Sequence, residues 1–341
     1  MERIEIDDPS WLDFVGGCPA STAFHHPAWA GLLAECYRYR AFALVVRGEA
    51  GEIVAGLPVV DVTNRVTGDR WVSLPYTDAC APLSAADGVA PLGAALAEEC
   101  GRRGLGVLEV RAGVAGSGAS AVDAGWNHVI ALSPDVDEVE RRFASSVRRD
   151  IAKARKAEVT VRRAERRNDL SRTFYALHTR TRRRKGVPVQ PRRYFELLWD
   201  RIVEPGLGLC LLAHGDGEPL AGVVLLGWNG TLLYKYAASD ERQLAHRPNH
   251  LLLGEAIRWA CANGYASLDL GRTEPGNQGL RRFKTSWGAG ERPLVYSVFG
   301  AEGTRGVDGG GRAASILAPV IRRSPAAVCR LAGELLYRYA A

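Results

Sequence analysis

The chain has 341 residues, 24% charged and 47% hydrophobic, the balance of a globular protein long enough for about two domains. That composition excludes a disordered or fibrous chain, and no window approaches the roughly 20 apolar residues of a membrane helix. The net charge of +6 hides an asymmetry: residues 1–140 carry −11, residues 141–300 carry +14 and residues from 301 carry +3. An anionic partner for the second half is therefore expected, such as RNA, a nucleotide diphosphate or a lipid phosphate.

The acidic start, Met1 to Ser10, has no apolar run, so no signal peptide is expected. Trp11 to Tyr39 reads as two short amphipathic helices, the second opening near Pro27. Ala41–Arg47 and Ile53–Val62 are β-rich runs joined by Gly48-Glu49-Ala50-Gly51, a hairpin signal. A short strand over Trp71–Pro75, a helix over about 90–103 ended by Gly104, and a strand over Val107–Arg111 follow. Gly113–Gly118 reads as a loop and Trp126–Leu132 as a strand.

Ser133-Pro134-Asp135 opens a helical stretch over 135–157, broken near Ser145-Ser146. A strand over Glu158–Arg163 and helices over 169–185 and about 191–203 come next. Leu209–His214, Leu220–Trp228 and Thr231–Ala237 form a three-strand meander, turning at Gly215-Asp216-Gly217 and Asn229-Gly230. A helix from about 249 to 262 and a strand from Ala266 lead to Arg281-Arg282-Phe283-Lys284-Thr285-Ser286-Trp287-Gly288, expected to be a loop. The strand Leu294–Phe299 follows it. Residues 301–341 begin as a glycine-rich linker. They end in a basic amphipathic segment carrying Ile316, Leu317, Val320, Ile321, Val328, Leu331, Leu335 and Leu336, which is expected to dock on the body or lie on an anionic membrane.

The chain also repeats itself. The turn Arg47-Gly48-Glu49-Ala50-Gly51 and the run after it correspond to the stretch from His214. Leu92-Gly93, Gly104 and Leu108-Glu109-Val110 correspond to Leu253-Gly254, Gly264 and Leu268-Asp269-Leu270. In each half a hairpin precedes a helix, a glycine stop and a strand. This predicts an α+β protein of two tandem modules: 1–135, 136–300 and a tail over 301–341.

That order, with Tyr234-Lys235-Tyr236, Asn249-His250, Asp269-Leu270-Gly271 and Phe283-Lys284 through Gly288, resembles the Fem-type (FemAB-related, BioF2-like) enzymes of the GNAT superfamily. Val147 to Ala154 and the stretch from Arg183 through Gly186 to Tyr194 are similar to theirs as well. The resemblance spans roughly 20–300 and is specific over 140–290. It implies two GNAT-like domains and transfer of an aminoacyl group from aminoacyl-tRNA to an amine on a cell-wall precursor. It places Lys284, with Phe283, near the reacting carbonyl and Tyr236 on the central strand. The long helical arm of some members has no counterpart here. The acidic residue once proposed as a base would fall near Arg111, and the phosphate-binding lysine has no equivalent among Trp29–Tyr39.

Amide formation from an activated ester needs a neutral amine and a stabiliser for the tetrahedral oxygen. Lys284 beside Phe283 and Trp287 suits the second task, and Tyr236 suits orientation or proton movement. Arg272, Arg281 and Arg282 cluster in sequence as a phosphate clamp, and Arg183, Tyr194, Trp287 and Asn249 complete the expected substrate contacts. A coenzyme A donor would call for a glycine-rich loop before a helix. The stretch Arg242 to His250 has no glycine and contains Pro248, so aminoacyl-tRNA is favoured, with 11 Lys/Arg over 141–167 suiting an acceptor stem. No resident cofactor is expected; acetyl-CoA enters only if the chain is instead a GNAT N-acetyltransferase. A third reading is a non-catalytic binder of anionic glycolipid or RNA. His25-His26 and the pair His246/His250 read as caps or core rather than metal ligands, and no DNA partner is expected. The acceptor is expected to be an amine-bearing, anionic small molecule or lipid-linked precursor. Seven scattered cysteines without a CxxC suit a cytoplasmic protein, peripheral at the inner membrane face if the tail touches lipid.

Overall fold

The computed structural model describes residues 1–63, 68–85, 92–115, 118–300 and 318–339. The glycine-rich linker, with Ile316 and Leu317, lies outside them. Two compact units emerge. One is built from Met1–Gly125, the last strand from Pro293 and the chain end from Leu336. The other is built from Trp126–Arg292 and the C-terminal segment up to Leu335.

The first unit opens with β1 (Glu2–Glu5), a strand without a strong sequence signal, which pairs with β2 (Arg40–Arg47). Between them run α1 (Pro9–Gly17), capped by Asp8, whose carboxylate accepts from the Ser10 amide at 2.9 Å, and α2 (Pro27–Tyr37), capped by the His26 ring. β2 makes a hairpin with β3 (Ile53–Asp61), which pairs with β4 (Arg70–Val72) and with the two-residue β5 (Leu83–Ser84). After α3 (Leu92–Arg103), Gly104 takes a left-handed φ of 62° and β6 (Val107–Val110) pairs parallel to β4. Phe42, Leu44, Leu57, Val59, Leu108 and Val110 alternate inward to form this core.

The second unit repeats the scheme on a larger scale. β7 (Ser120–Ala131) contributes its later half, and the expected helical stretch divides into α4 (Val136–Arg141) and α5 (Ser145–Lys156). β8 (Thr160–Arg163), a π-helical turn (Asp169–Phe174), α6 (Tyr175–Lys185) and α7 (Arg192–Leu198) lead to the meander of β9 (Gly208–Gly215), β10 (Glu218–Trp228) and β11 (Thr231–Ser239). α8 (Pro248–Ala262) ends at Gly264, again left-handed with φ 74°, and β12 (Ser267–Thr273) pairs parallel to β11. The strands of this unit run β7-β12-β11-β10-β9-β8. Leu252, Leu253, Ala256, Ile257 and Ala260 of α8 are buried on the sheet, and Gly254 lets Ile151 of α5 approach closely. α9 (Gln278–Thr285) and β13 (Gly290–Phe299) follow, then a short helix over 318–323 and α10 (Ala326–Leu336).

Three irregularities among the strands of this unit position the site. β11 and β12 pair over only three rungs, the last being Leu233 with Asp269, and then part. Just beyond, the β10–β11 register jumps so that Val224 faces Tyr236 and Leu225 faces Tyr234, leaving Lys235 as an extra residue. The β12–β7 register jumps between Asp269 and Arg272, at a Gly271 with φ 73°.

Candidate active site

The stretch expected as a loop is instead mostly helix. Asn277 caps α9 through its side-chain oxygen, which accepts from the Leu280 amide at 3.1 Å. Ser286 follows the helix and its carbonyl accepts from the Ala144 amide at 2.8 Å. Gly288 then turns left-handed at φ 75°, and a Cβ there would strike Arg142. Trp287 is fully buried and meets Phe143 edge-on and His250 face-on. The aromatic residues therefore anchor the end of α9 in the core.

Anchoring α9 carries Lys284 inward, to 5% exposure. Its Nζ donates to the carbonyls of Gly271 at 2.7 Å and Arg272 at 2.9 Å, the two residues at the bulge in β12. The bulge is held from the other side: the Asp269 carboxylate accepts from the Gly271 amide at 2.7 Å and from Asn127 Nδ2 at 3.1 Å. A buried cation is thus fixed by main-chain oxygens where β12 leaves β11.

A second group of polar residues beside it had no sequence signal. His128 is buried on β7, with Nε2 3.1 Å from Glu291 and Nδ1 3.4 Å from the Thr273 hydroxyl. Burial and the neighbouring Lys284 charge hold its imidazole below the ordinary range. Arg281 closes the group with a two-pronged ion pair to Glu291 and lies 4.2 Å over the Trp126 ring. Only tertiary pairing brings residues 126–128, 273, 281 and 291 together.

Across the parting strands, the Tyr236 hydroxyl is 2.8 Å from that of Tyr194 and 3.4 Å from Gln190 Nε2. Gln190 Oε1 in turn meets His178 Nε2 at 3.0 Å, and Phe174 and Phe195 pack on the His178 ring. Two residues selected separately from the sequence, Tyr194 and Tyr236, are therefore one hydrogen-bonded pair.

The three arginines of the expected clamp have separate surroundings. Arg281 is engaged by Glu291, Arg272 lies 3.3 Å from Glu274, and Arg282 is exposed. Asn249 lies half-buried in the first turn of α8. That turn is closed by Arg247 in a left-handed conformation and by Pro248, and Asp150 of α5 reaches Arg247 at 3.1 Å and His250 at 3.4 Å. Arg183 instead lines a cleft of about 480 Å³ with Arg180, Arg184, Arg242 and Arg322, opposed only by Asp240 and Glu241. Nearby, burial and then the charges of Arg182 and Arg184 lower the Lys185 ammonium pKa.

Residues 141–285 match the family described as Acetyltransferase (GNAT) domain. A crystal structure of FemX is similar in fold, with a TM-score of 0.67 at 16% identity over 89% of this chain and 98% of that one. The structure of L-PGS from Bacillus licheniformis has a TM-score of 0.56 at 14% identity, covering 95% and 99% of the two chains. A tandem GNAT protein from the clavulanic acid biosynthesis pathway has a TM-score of 0.52 at 13% identity, covering 87% and 97%. At these identities the likeness is one of fold, and it matches the two tandem modules expected from the repeat and the GNAT-like fold implied by the resemblance. No curated protein matches the sequence.

Proposed function

We propose that this chain, which carries a GNAT acyltransferase domain over residues 141–285, moves an aminoacyl group from aminoacyl-tRNA to the amine of an anionic acceptor. A cell-wall precursor, a glycolipid or a peptide-like metabolite that bears a free amine would serve as this acceptor. The neutral amine attacks the ester carbonyl, a C–N bond forms, and the C–O bond to the terminal ribose breaks. The proton lost by the amine ends on the released ribose hydroxyl. In this reading Lys284 places its charge beside the carbonyl oxygen as negative charge develops there. The Tyr236–Tyr194 pair orients the amine and offers a hydroxyl path for its proton.

The observation that carries the choice of donor is the contrast between two anion sites. At the start of α8, Pro248 offers no amide hydrogen and Asp150 already engages Arg247 and His250, so a coenzyme A diphosphate lacks its amide cradle. The cleft beyond β11 instead holds three more cations than anions, which suits a nucleic-acid backbone. A second reading, coenzyme A-dependent N-acetylation, is favoured by the match to an acetyltransferase domain.

Product masses separate these readings when cell extract and the full chain are supplied with charged tRNA or acetyl-CoA. Aminoacyl transfer gives a product that RNase treatment of the donor abolishes and that Lys284→Ala forms more slowly by about a hundredfold or more. An acetylated product insensitive to RNase assigns the chain to the second reading. Ligand binding without a product from either donor makes it a binder and overturns both.

A further inference from the structure

The C-terminal segment has two apolar faces, and only one is used within the chain. Ile321, Cys329, Gly333 and Tyr337 are buried. Gly333 meets the Val189 backbone so closely that a Cβ would overlap it, and Cys329 Sγ lies 3.6 Å from the Val187 carbonyl. Gly186, at the end of α6, is likewise packed against Ala318. Cys329 and Gly333 follow helical spacing, so this face of α10 is the one packed on the body.

Val328, Leu331 and Leu335 have the same spacing on the other side, at about 100° per residue. Leu331 and Leu335 are each 60% exposed and Val320 is 58% exposed. Of the eight large apolar side chains exposed among the described residues, six lie in this segment: Val320, Val328, Leu331, Leu335, Leu336 and Tyr339. Exposed leucines scattered singly need no explanation, but a continuous row does. Arg322, Arg323, Arg330 and Arg338 accompany it against the single acid Glu334. No helix among the described residues is long and apolar enough to cross a membrane.

We infer that the exposed stripe Val328, Leu331 and Leu335, with Val320, docks the chain on an anionic lipid bilayer. The leucines enter the acyl boundary while Arg323 and Arg330 meet lipid phosphates. The charge favours this occupant over a second copy of the chain, because pairing two such segments would bring their arginines together. Binding through the stripe leaves the Gly333–Val189 contact in place, so the surface needs no unfolding to act. The inference does not depend on which acyl donor is used.

Co-sedimentation of the full chain with vesicles of phosphatidylcholine, with and without phosphatidylglycerol, tests it. The chain is expected to pellet with the anionic vesicles, and added salt should release it. The exposed double substitution Leu331→Asp/Leu335→Asp should lower partitioning by about a hundredfold, because each leucine contributes roughly a tenfold factor. Arg323→Glu/Arg330→Glu should remove the preference for anionic lipid. Equal pelleting of wild type and the leucine variant overturns the inference. So does a concentration-dependent dimer, lost in the leucine variant, from a chain that ignores both vesicles.

Discussion

Lys284 Nζ lies 2.7 Å from the Gly271 carbonyl, so the cation expected to serve the reacting carbonyl also clamps the bulge where β12 leaves β11. On the proposed mechanism, structure and chemistry are therefore coupled at one residue. Lys284→Ala should leave the Gly271 and Arg272 carbonyls short of a donor in a buried place, costing about 1–3 kcal/mol of stability. On the proposed mechanism it should also lower kcat by about a hundredfold or more. Urea unfolding with single-turnover kinetics on the same preparation separates the two losses. A variant destabilised to this extent with an unchanged single-turnover rate removes Lys284 from the chemistry.

Gly271 supplies a second test of the bulge. Its φ of 73° lies in the left-handed region, where a side chain costs roughly 1–2 kcal/mol. Gly271→Ala should lose about that much stability and displace the carbonyl that holds Lys284. Gly276→Ala, with nothing within 4 Å of the added Cβ, is the matched control. Equal thermal midpoints for the two variants would show that the bulge tolerates a side chain.

The tyrosine pair makes a coupled prediction. With hydroxyls 2.8 Å apart, Tyr194→Phe and Tyr236→Phe each remove one member of a single hydrogen bond. Their effects on turnover should be less than additive in the double variant, with a coupling of about 0.5–1.5 kcal/mol. Additive effects would mean that each hydroxyl serves a separate partner.

Much of the frame is legible in the sequence because it rests on local rules. The glycine stops at 104 and 264, the meander turns and the helix-opening Pro27 all specify backbone conformations that neighbours determine. The repeat then follows from their order. The candidate site is legible as residue types but not as an arrangement. Lys284 stands beside Phe283 and Trp287 in sequence, yet Trp287 packs on Phe143 and His250 and the ammonium is held by main-chain oxygens. A bulge in β12 depends on its register with β7, and register is a property of two strands far apart in sequence. His128, Glu291 and Thr273 were missed for the same reason. The clustering of Arg272, Arg281 and Arg282 concealed that Glu291 and Glu274 engage two of them.

The arginine cleft predicts a salt signature. If Arg183 and Arg184 contact phosphates of a bound tRNA, each should contribute about 0.7–0.9 to the slope of log affinity against log salt. Arg183→Ala/Arg184→Ala should flatten that slope by roughly 1.4–1.8, measured by filter binding of charged tRNA. Arg47→Ala, which loses an exposed ion pair to Glu2 in the first unit, should leave the slope unchanged. Equal slopes for the cleft variant and wild type would place the RNA elsewhere.

Acid sensitivity follows from two histidines buried in their neutral form. Burial lowers the pKa of His25 to about 4, against opposing bonds to Ala81 and Thr22. Burial, reinforced by the Arg182 charge, lowers that of His178 to about 3. Unfolded, both should titrate near 6.5. Between those values the unfolded chain binds more protons than the fold, so the histidine contribution is flat above pH 6.5 and stability falls as pH drops below it. Each histidine contributes on the order of 1.4 kcal/mol per pH unit, and His26, His128, His214 and His250 are shifted in the same direction. The carboxylates Glu109 and Asp240, also held below their ordinary range, add their own loss only at lower pH. Urea midpoints between pH 7 and pH 5 therefore isolate the histidine contribution. His178→Gln should shift the whole curve but reduce its slope by about one proton. An unchanged slope in that variant would mean that the imidazole is protonated in the fold.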